Sequence, residues 1–189
     1  MESIEIPSGI TTIGTSAFQG CSSLSSVTFS EGLLTIGGSA FYNCRELPSI
    51  SLPSTLTSIG SSAFYQCTLL SGVIDIPEGV TSIGANAFYL ATFGVTDIII
   101  PSTISSIGAN AFQAQYNTDP QAIPNKIVHV KGLVPATAGG TIFGPLASNS
   151  AKLKIYVPAA SLDAYKTATN WKTYATIMYP ESLDRKSVV

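Results

Sequence analysis

The chain has 189 residues, of which 45% are hydrophobic and only 11% are charged, and its formal net charge is −2. Without a cluster of basic side chains to neutralise phosphates, the composition argues against nucleic-acid binding. No apolar run approaches the roughly 18 residues of a membrane-spanning helix, and the first residues lack the basic start and apolar stretch of a signal peptide.

An internal repeat organises the first two thirds of the sequence. A phenylalanine recurs every 23 or 24 residues, always after an alanine and a few residues after an Ile-Gly pair. The phenylalanines are Phe18, Phe41, Phe64, Phe88 and Phe112. A fixed period of this length is typical of solenoid proteins, so residues 1–116 are predicted to form five stacked repeats.

Each repeat contains the pattern of a short strand. Apolar residues alternate in pairs, as in Val27/Phe29 and Ile50/Leu52, so one face of each strand should be buried. A proline usually ends the strand, and a second short segment with inward apolar residues, such as Val80-Thr81-Ser82-Ile83, leads to the Ile-Gly pair. We expect the glycine of that pair to allow a tight bend or a positive φ. One repeat cannot bury its apolar edge alone, whereas stacked repeats bury it continuously.

The unit reads approximately I-x-I-P-x-x-(V/I/L)-T-x-I-G-x-x-A-F-x-x-C-x-x-L, and it resembles the BspA-like (Treponema-type) leucine-rich repeat. That family occurs in surface proteins of bacteria and some protozoa. The resemblance implies a solenoid with a parallel concave sheet, short strands or turns on the convex side, and a role in adhesion or partner binding without a common catalytic site. It also implies a cell-surface or secreted protein. Because the sequence opens inside a strand, we expect it to be part of a longer chain.

The repeat degenerates in the last third of the sequence. Residues 117–158 are predicted to hold a long polar loop and degenerate repeats, with Ile142-Phe143 replacing Ala-Phe. Residues 159–181 are predicted to form a small helical cap, in which Ser161 is the N-cap and Asp163 lies in the first turn. The cap resembles the closing segment of similar repeat proteins in gut bacteria. Residues 182–189 are predicted to be a frayed tail.

Three cysteines share one repeat position, and three tyrosines share another. Cys21, Cys44 and Cys67 are best interpreted as a stack of small buried residues, because their spacing fits neither a zinc site nor complete disulfide pairing. The tyrosines are Tyr42, Tyr65 and Tyr89. Their ladder is either a binding site for glycan or protein, or a set of rings that merely pack over neighbouring repeats.

The predicted concave sheet carries the main candidate site. Its N-terminal end presents serine and threonine, whereas its C-terminal end presents aliphatic, aromatic and basic side chains: Ile99, Ile127, His129, Lys154 and Tyr156. Exposed residues of these types have no role in the core, which favours a contact surface. The competing interpretation is an ordinary solvated sheet face.

The sequence offers little for catalysis. His129 is the one histidine, and no nucleophile elbow, metalloprotease motif, phosphate loop or dinucleotide fingerprint is present. Asp75 and Glu78 occupy positions that are serine in other repeats, which indicates sequence drift at a surface position and not an acid/base pair.

We therefore expect a non-catalytic binding module with no cofactor or metal and with a protein or matrix partner. Glycan binding and a structural spacer are the alternatives.

Overall fold

The computed structural model describes residues 2–92, 94–114, 125–144 and 152–181. Within these ranges the chain forms a parallel β-solenoid, as the repeat pattern predicts. In chain order, the strands are β1 Ser3–Ile6, β2 Thr12–Ile13, β3 Ser26–Phe29, β4 Thr35–Ile36, β5 Ser58–Ile59, β6 Ser71–Asp75, β7 Ser82–Ile83, β8 Gly94–Ile100, β9 Ser106–Ile107, β10 Lys126–Val130, β11 Thr137–Ala138, β12 Leu153–Pro158 and β13 Met178–Glu181.

The described strands form three parallel sheets. The two-residue strands of successive repeats pair in the order β11-β9-β7-β5-β4-β2. The longer strands form a pair, β1-β3, and a five-stranded sheet in the order β13-β12-β10-β8-β6. We call the solvent side of the five-stranded sheet the long-strand face, and it is the face that the sequence predicts to be concave.

The long strands are interrupted at the third repeat. The sequence predicts a strand at Ile50 and Leu52, but this segment forms no strand in the structure, so that prediction is wrong. Pro48 and Pro53 bracket the segment, and neither has a backbone N–H to donate to a ladder. The alternation of apolar residues survives, because Ile50 and Leu52 still pack against the core.

The repeated phenylalanines form a continuous stack through the core. Phe41, Phe64, Phe88 and Phe112 are almost completely buried, and the centroids of successive rings lie 5.1–5.3 Å apart. The stack continues to Phe143, whose ring centroid lies 6.0 Å from that of Phe112. The carbonyl of Ile142 accepts the Phe112 N–H, as the carbonyl of Ala111 accepts the Phe88 N–H. The predicted replacement of Ala-Phe by Ile142-Phe143 is therefore confirmed.

The glycines of the Ile-Gly pairs do not have positive φ, so of the two expected features the positive φ is wrong. A tight turn does begin at these positions, where for example the carbonyl of Gly84 accepts the N–H of Ala87. The positive φ angles, between 55° and 58°, lie two residues later: Ser16, Ser39, Ser62, Asn86 and Asn110. All of these glycines except Gly14 are needed because successive repeats approach closely. A Cβ atom on Gly84 would lie 2.3 Å from the backbone nitrogen of Ser61, and one on Gly60 would lie 2.5 Å from that of Gly38.

The C-terminal segment combines two short 3₁₀ helices, Ala159–Ser161 and Lys172–Ile177, with helix α1, Leu162–Thr167. Tyr165, Trp171 and Tyr174 are completely buried. Their polar atoms donate hydrogen bonds to the carbonyls of Gly132, Ala136 and Gly144 respectively, at 2.8–3.1 Å. These bonds hold the helical segment against residues 132–144 and leave its buried donors satisfied.

Two details of this segment differ from the sequence prediction. Ser161 lies at the N-cap position of α1, but its hydroxyl donates to the carbonyl of Leu133 at 2.6 Å and makes no side-chain bond to the helix. The segment then ends in a strand, β13, which pairs with β12 and extends the long-strand sheet. The predicted tail and most of the predicted polar loop lie outside the described residues.

Candidate functional site

The cysteine ladder is a feature of the core. Cys44 and Cys67 are buried free thiols, and Cys21 is partly buried. The Sγ atoms of Cys44 and Cys67 donate to the carbonyls of Phe18 and Phe41, each at 3.2 Å. Burial raises the pKa of Cys44 to about 11 and raises the pKa of Cys67 further. Within the described ranges, no three cysteine, histidine or acidic side chains gather into a metal-binding group.

The tyrosine ladder is a tight ring stack. Adjacent ring centroids lie 4.7 Å apart for Tyr42 and Tyr65 and 5.0 Å apart for Tyr65 and Tyr89, with interplanar angles of 5° and 15°. All three side chains are partly buried. The faces of the middle ring are covered by its neighbours, so the ladder presents ring edges and hydroxyls to solvent. Partial burial and the two neighbouring phenols raise the pKa of Tyr65.

The register of the long strands brings the five predicted site residues together. His129 on β10 lies between Ile99 on β8 and Tyr156 on β12. Ile127 lies between Asp97 on β8 and Lys154 on β12 in the same way. Their inward neighbours are completely buried: Ile98, Val128 and Ile155. The five residues therefore share the outward face of three adjacent strands.

Two further residues, which the sequence pattern did not reveal, extend this group. Strand β13 places Tyr179 beside Tyr156, with ring centroids 5.7 Å apart, and Tyr179 is 40% exposed. Glu181, two residues later, reaches His129. We define the C-terminal patch as the outward residues of the last four long strands: Asp97, Ile99, Ile127, His129, Lys154, Tyr156, Tyr179 and Glu181.

His129 is held in place by its surroundings. Its Nδ1 atom lies 2.8 Å from Oε1 of Glu181, and its Nε2 atom lies 4.0 Å from Oδ1 of Asp97. Its ring stacks on Tyr156 with a centroid distance of 5.7 Å and an interplanar angle of 16°. The patch therefore has a central aromatic row with carboxylates at its margins, and Lys154 adds one positive charge.

Glu78 has a structural role that the sequence pattern does not predict. Its Oε2 atom accepts hydrogen bonds from the backbone and hydroxyl of Ser102 at 2.9 and 2.8 Å, and its Oε1 atom lies 3.3 Å from Nζ of Lys131. Partial burial raises the pKa of Glu78, but the Ser102 bonds and the Lys131 charge lower it more, so the net shift is downward. Glu78 is exposed, as the sequence predicts, and it connects successive repeats.

Lys126 is a second residue that the sequence pattern does not single out. It begins β10, its side chain is almost completely buried, and its ammonium donates to the carbonyl of Thr92. Burial lowers the pKa of Lys126 to about 8. The contact ties β10 to the turn before β8, which supports the same strands that carry the patch.

Comparison with known sequences identifies the repeat. The sequence model of the BspA-type leucine-rich-repeat region matches residues 1–119 with six copies. The chain belongs to the BspA-type leucine-rich-repeat family. The resemblance carried by the Ile-Gly and Ala-Phe positions is thereby confirmed. Leucine-rich repeats typically mediate protein binding, and they generally form non-catalytic scaffolds.

Solved structures support the same fold. A leucine-rich cell surface protein of Faecalibacterium prausnitzii is 38% identical over 59% of this BspA-type chain, with a TM-score of 0.54, and the match spans 29% of that protein. The leucine-rich-repeat protein of Treponema pallidum is 22% identical, with a TM-score of 0.59 and coverage of 78% of each chain. A leucine-rich-repeat protein of Bacteroides ovatus is 24% identical over 84% of this chain and 50% of its own, with a TM-score of 0.50.

The aligned region spans less than a third of the F. prausnitzii protein, and the other two structures inform the fold alone. No curated protein matches the chain. In the part of the chain that the structure describes, no helix has the length and hydrophobicity required to cross a lipid bilayer.

Proposed function

We propose that this BspA-type chain is a non-catalytic binding module of a bacterial cell-surface or secreted protein, and that its C-terminal patch engages a protein or matrix partner. The observation that supports the proposal is the change in chemistry along the long strands. Small polar residues and one carboxylate, Glu5, occupy outward positions at the N-terminal end, whereas Ile99, Ile127, Tyr156 and Tyr179 occupy them at the C-terminal end. Aromatic side chains give large contact areas for little loss of entropy, so they are frequent anchors of interfaces.

The rigidity of the C-terminal patch also supports the proposal that it binds a partner. Strands β8, β10, β12 and β13 are hydrogen-bonded neighbours over a buried layer, and the helical segment packs against β12 and β13. The Glu181 contact also fixes His129 before any partner arrives. A preorganised surface loses less conformational entropy on association, which favours affinity. The proposed surface location draws on the cell-surface relative in F. prausnitzii.

Glycan binding through the tyrosine ladder is the second candidate, and its geometry weakens it. Sugar rings bind aromatic side chains chiefly by lying against an open ring face. Both faces of Tyr65 are covered by Tyr42 and Tyr89. The middle of the ladder therefore offers ring edges and hydroxyls, which contribute hydrogen bonds without an open ring face for stacking. A structural spacer is the remaining alternative, and it requires no binding surface.

The proposal is tested by screening the chain against arrays of matrix proteins and glycans. Any captured protein should lose affinity for the Tyr156→Ala/Lys154→Ala double variant by more than about 1 kcal/mol. The Lys172→Ala variant, which changes an exposed lysine on the 3₁₀ helix, is the control and should bind normally. Loss of glycan binding on changing Tyr42, Tyr65 and Tyr89 to Ala together would favour the ladder. Blank screens would favour the spacer.

A further inference from the structure

A groove of about 540 Å³ opens where the long-strand face is interrupted. One wall is the third-repeat segment that forms no strand, with Ile50 and Leu52. The other wall is β6, with Val73 and Asp75, and Ile76 also lines the groove. Val73 is 51% exposed, although its side chain is entirely aliphatic. The groove therefore offers accessible apolar walls beside the C-terminal patch.

The margin of this groove carries an excess of negative charge. Its charged residues are Glu31, Asp75, Glu78 and Lys131, three carboxylates and one ammonium. Lys131 is paired with Glu78, and Glu31 accepts hydrogen bonds from Ser54 and Thr55 that lower its pKa. The side chain of Asp75, in contrast, makes no ion pair or hydrogen bond within the described part of the chain. Asp75 is thus an available carboxylate next to apolar walls.

We propose that this groove binds an arginine side chain from an extended segment of the protein partner. The proposal deepens the proposed function and rests on it, because the partner would reach the groove while lying on the adjoining patch. An arginine has an aliphatic stem that suits the walls formed by Ile50, Leu52 and Val73. Its guanidinium is weakly hydrated and presents a planar set of donors that matches a carboxylate such as Asp75.

Register places the groove within reach of a ligand on the patch. Asp75 on β6 is the direct neighbour of Ile99 on β8, and Ile99 is the neighbour of His129 on β10. Adjacent strands lie about 4.8 Å apart, so a peptide of a few residues spans this distance. A peptide crossing the strands would therefore contact the aromatic row and deliver its basic side chain to Asp75.

The direct test is an amide NMR titration of the isotopically labelled chain with two probes. The probes are N-acetyl-Leu-Arg-Leu-amide and the same peptide with citrulline, which keeps the shape of arginine but is uncharged. The arginine probe should give saturable shifts at residues 50–52 and 73–78. The citrulline probe should bind about twofold to fivefold more weakly, the range expected for one exposed ion pair.

Variants then assign the effect to one carboxylate. Asp75→Asn should weaken the arginine probe to the level of the citrulline probe, whereas Asp163→Asn on α1 should not change its binding. The free Asp75→Asn spectrum must match that of the wild type outside β6, which verifies folding. Equal binding of the two peptides, or no shifts at the groove, would overturn the proposal. Shifts of these residues on dilution of the free protein would assign the groove to a second copy of the chain and would also overturn it.

The outcomes separate this inference from the proposed function. If the probe shifts only residues of the C-terminal patch, the patch is supported and the groove is not. If the groove binds arginine selectively while Tyr156→Ala/Lys154→Ala leaves partner binding unchanged, the groove is supported and the patch is not.

Discussion

Nδ1 of His129 lies 2.8 Å from Oε1 of Glu181, although strand β12 separates the two strands that carry these residues. The contact therefore bridges β12 diagonally and joins the edge strand β13 to the interior of the sheet. His129 and Tyr179 are the two ends of an aromatic row with Tyr156 between them. Since Glu181 lies on the same strand as Tyr179, its contact with His129 connects the two ends of this row. A site that is fixed in this way is available to a partner without rearrangement.

Removing this contact should loosen β13. We predict that Glu181→Ala accelerates amide hydrogen exchange in residues 178–181 and lowers the free energy of unfolding by about 0.2–1 kcal/mol, the range for a partly exposed ion pair. Glu46→Ala, in an exposed turn of an earlier repeat, is the matched control and should leave exchange in β13 unchanged. Unaltered exchange in the Glu181 variant would show that pairing with β12 alone fixes the strand.

Two equivalent glycines should respond differently to the same substitution. Gly84→Ala places a Cβ against the backbone of the preceding repeat, so we predict a loss of about 3 kcal/mol, the upper end of the usual overpacking range. Gly14 occupies the same repeat position, but no heavy atom lies within 4 Å of the place that a Cβ would occupy there. Gly14→Ala should therefore change stability by less than about 0.5 kcal/mol. Chemical denaturation measures both, and equal losses would show that close approach is not the reason for the glycine.

The three cysteines should differ in their reactivity towards a thiol reagent. We predict that the native protein is labelled at Cys21 alone, since burial raises the pKa of Cys44 and Cys67 and leaves little thiolate to react. In denaturant all three should be labelled. Mass spectrometry of the labelled protein locates the modified residues, and rapid native labelling of Cys67 would contradict its buried position in the stack.

Glu78 should make stability dependent on pH in the acidic range. Its pKa is lower in the folded chain than in the unfolded chain, so its contribution is fully present above the unfolded pKa and is lost as pH falls through the folded value. Glu78→Gln cannot titrate, so its melting temperature should fall less between neutral pH and acid than that of the wild type. Ser102→Ala, which removes one of the two Ser102 bonds, should give an intermediate pH dependence. Identical profiles for all three proteins would show that Glu78 does not contribute to the acid sensitivity.

The sequence predicts most of the core because the core is periodic. Phe41, Phe64 and Phe88 recur at one position, and a residue that repeats in this way must make the same contact in every turn. The outward positions of β8, β10 and β12 follow from the same alternation. Alternation alone therefore places Ile99, His129 and Tyr156 on one face, and the strand register then makes them neighbours.

The remaining features depend on contacts between distant parts of the chain. Glu181 and His129 are 52 residues apart, and no local pattern links them. Strand β13 escapes prediction because Met178–Glu181 is only four residues long and follows a helical segment. The role of the Ile-Gly glycines is likewise hidden, because the sequence reveals that a side chain is absent but not which backbone lies against the position.

The most direct test of the central claim is to map a captured protein partner onto the amide spectrum of the labelled chain. We predict that signals of β8, β10, β12 and β13 change most on binding, with Tyr156 and Tyr179 among the residues affected. Changes confined to the turns that carry Tyr42, Tyr65 and Tyr89, or to the two-residue strands on the other sheet, would contradict the assignment of binding to the C-terminal patch.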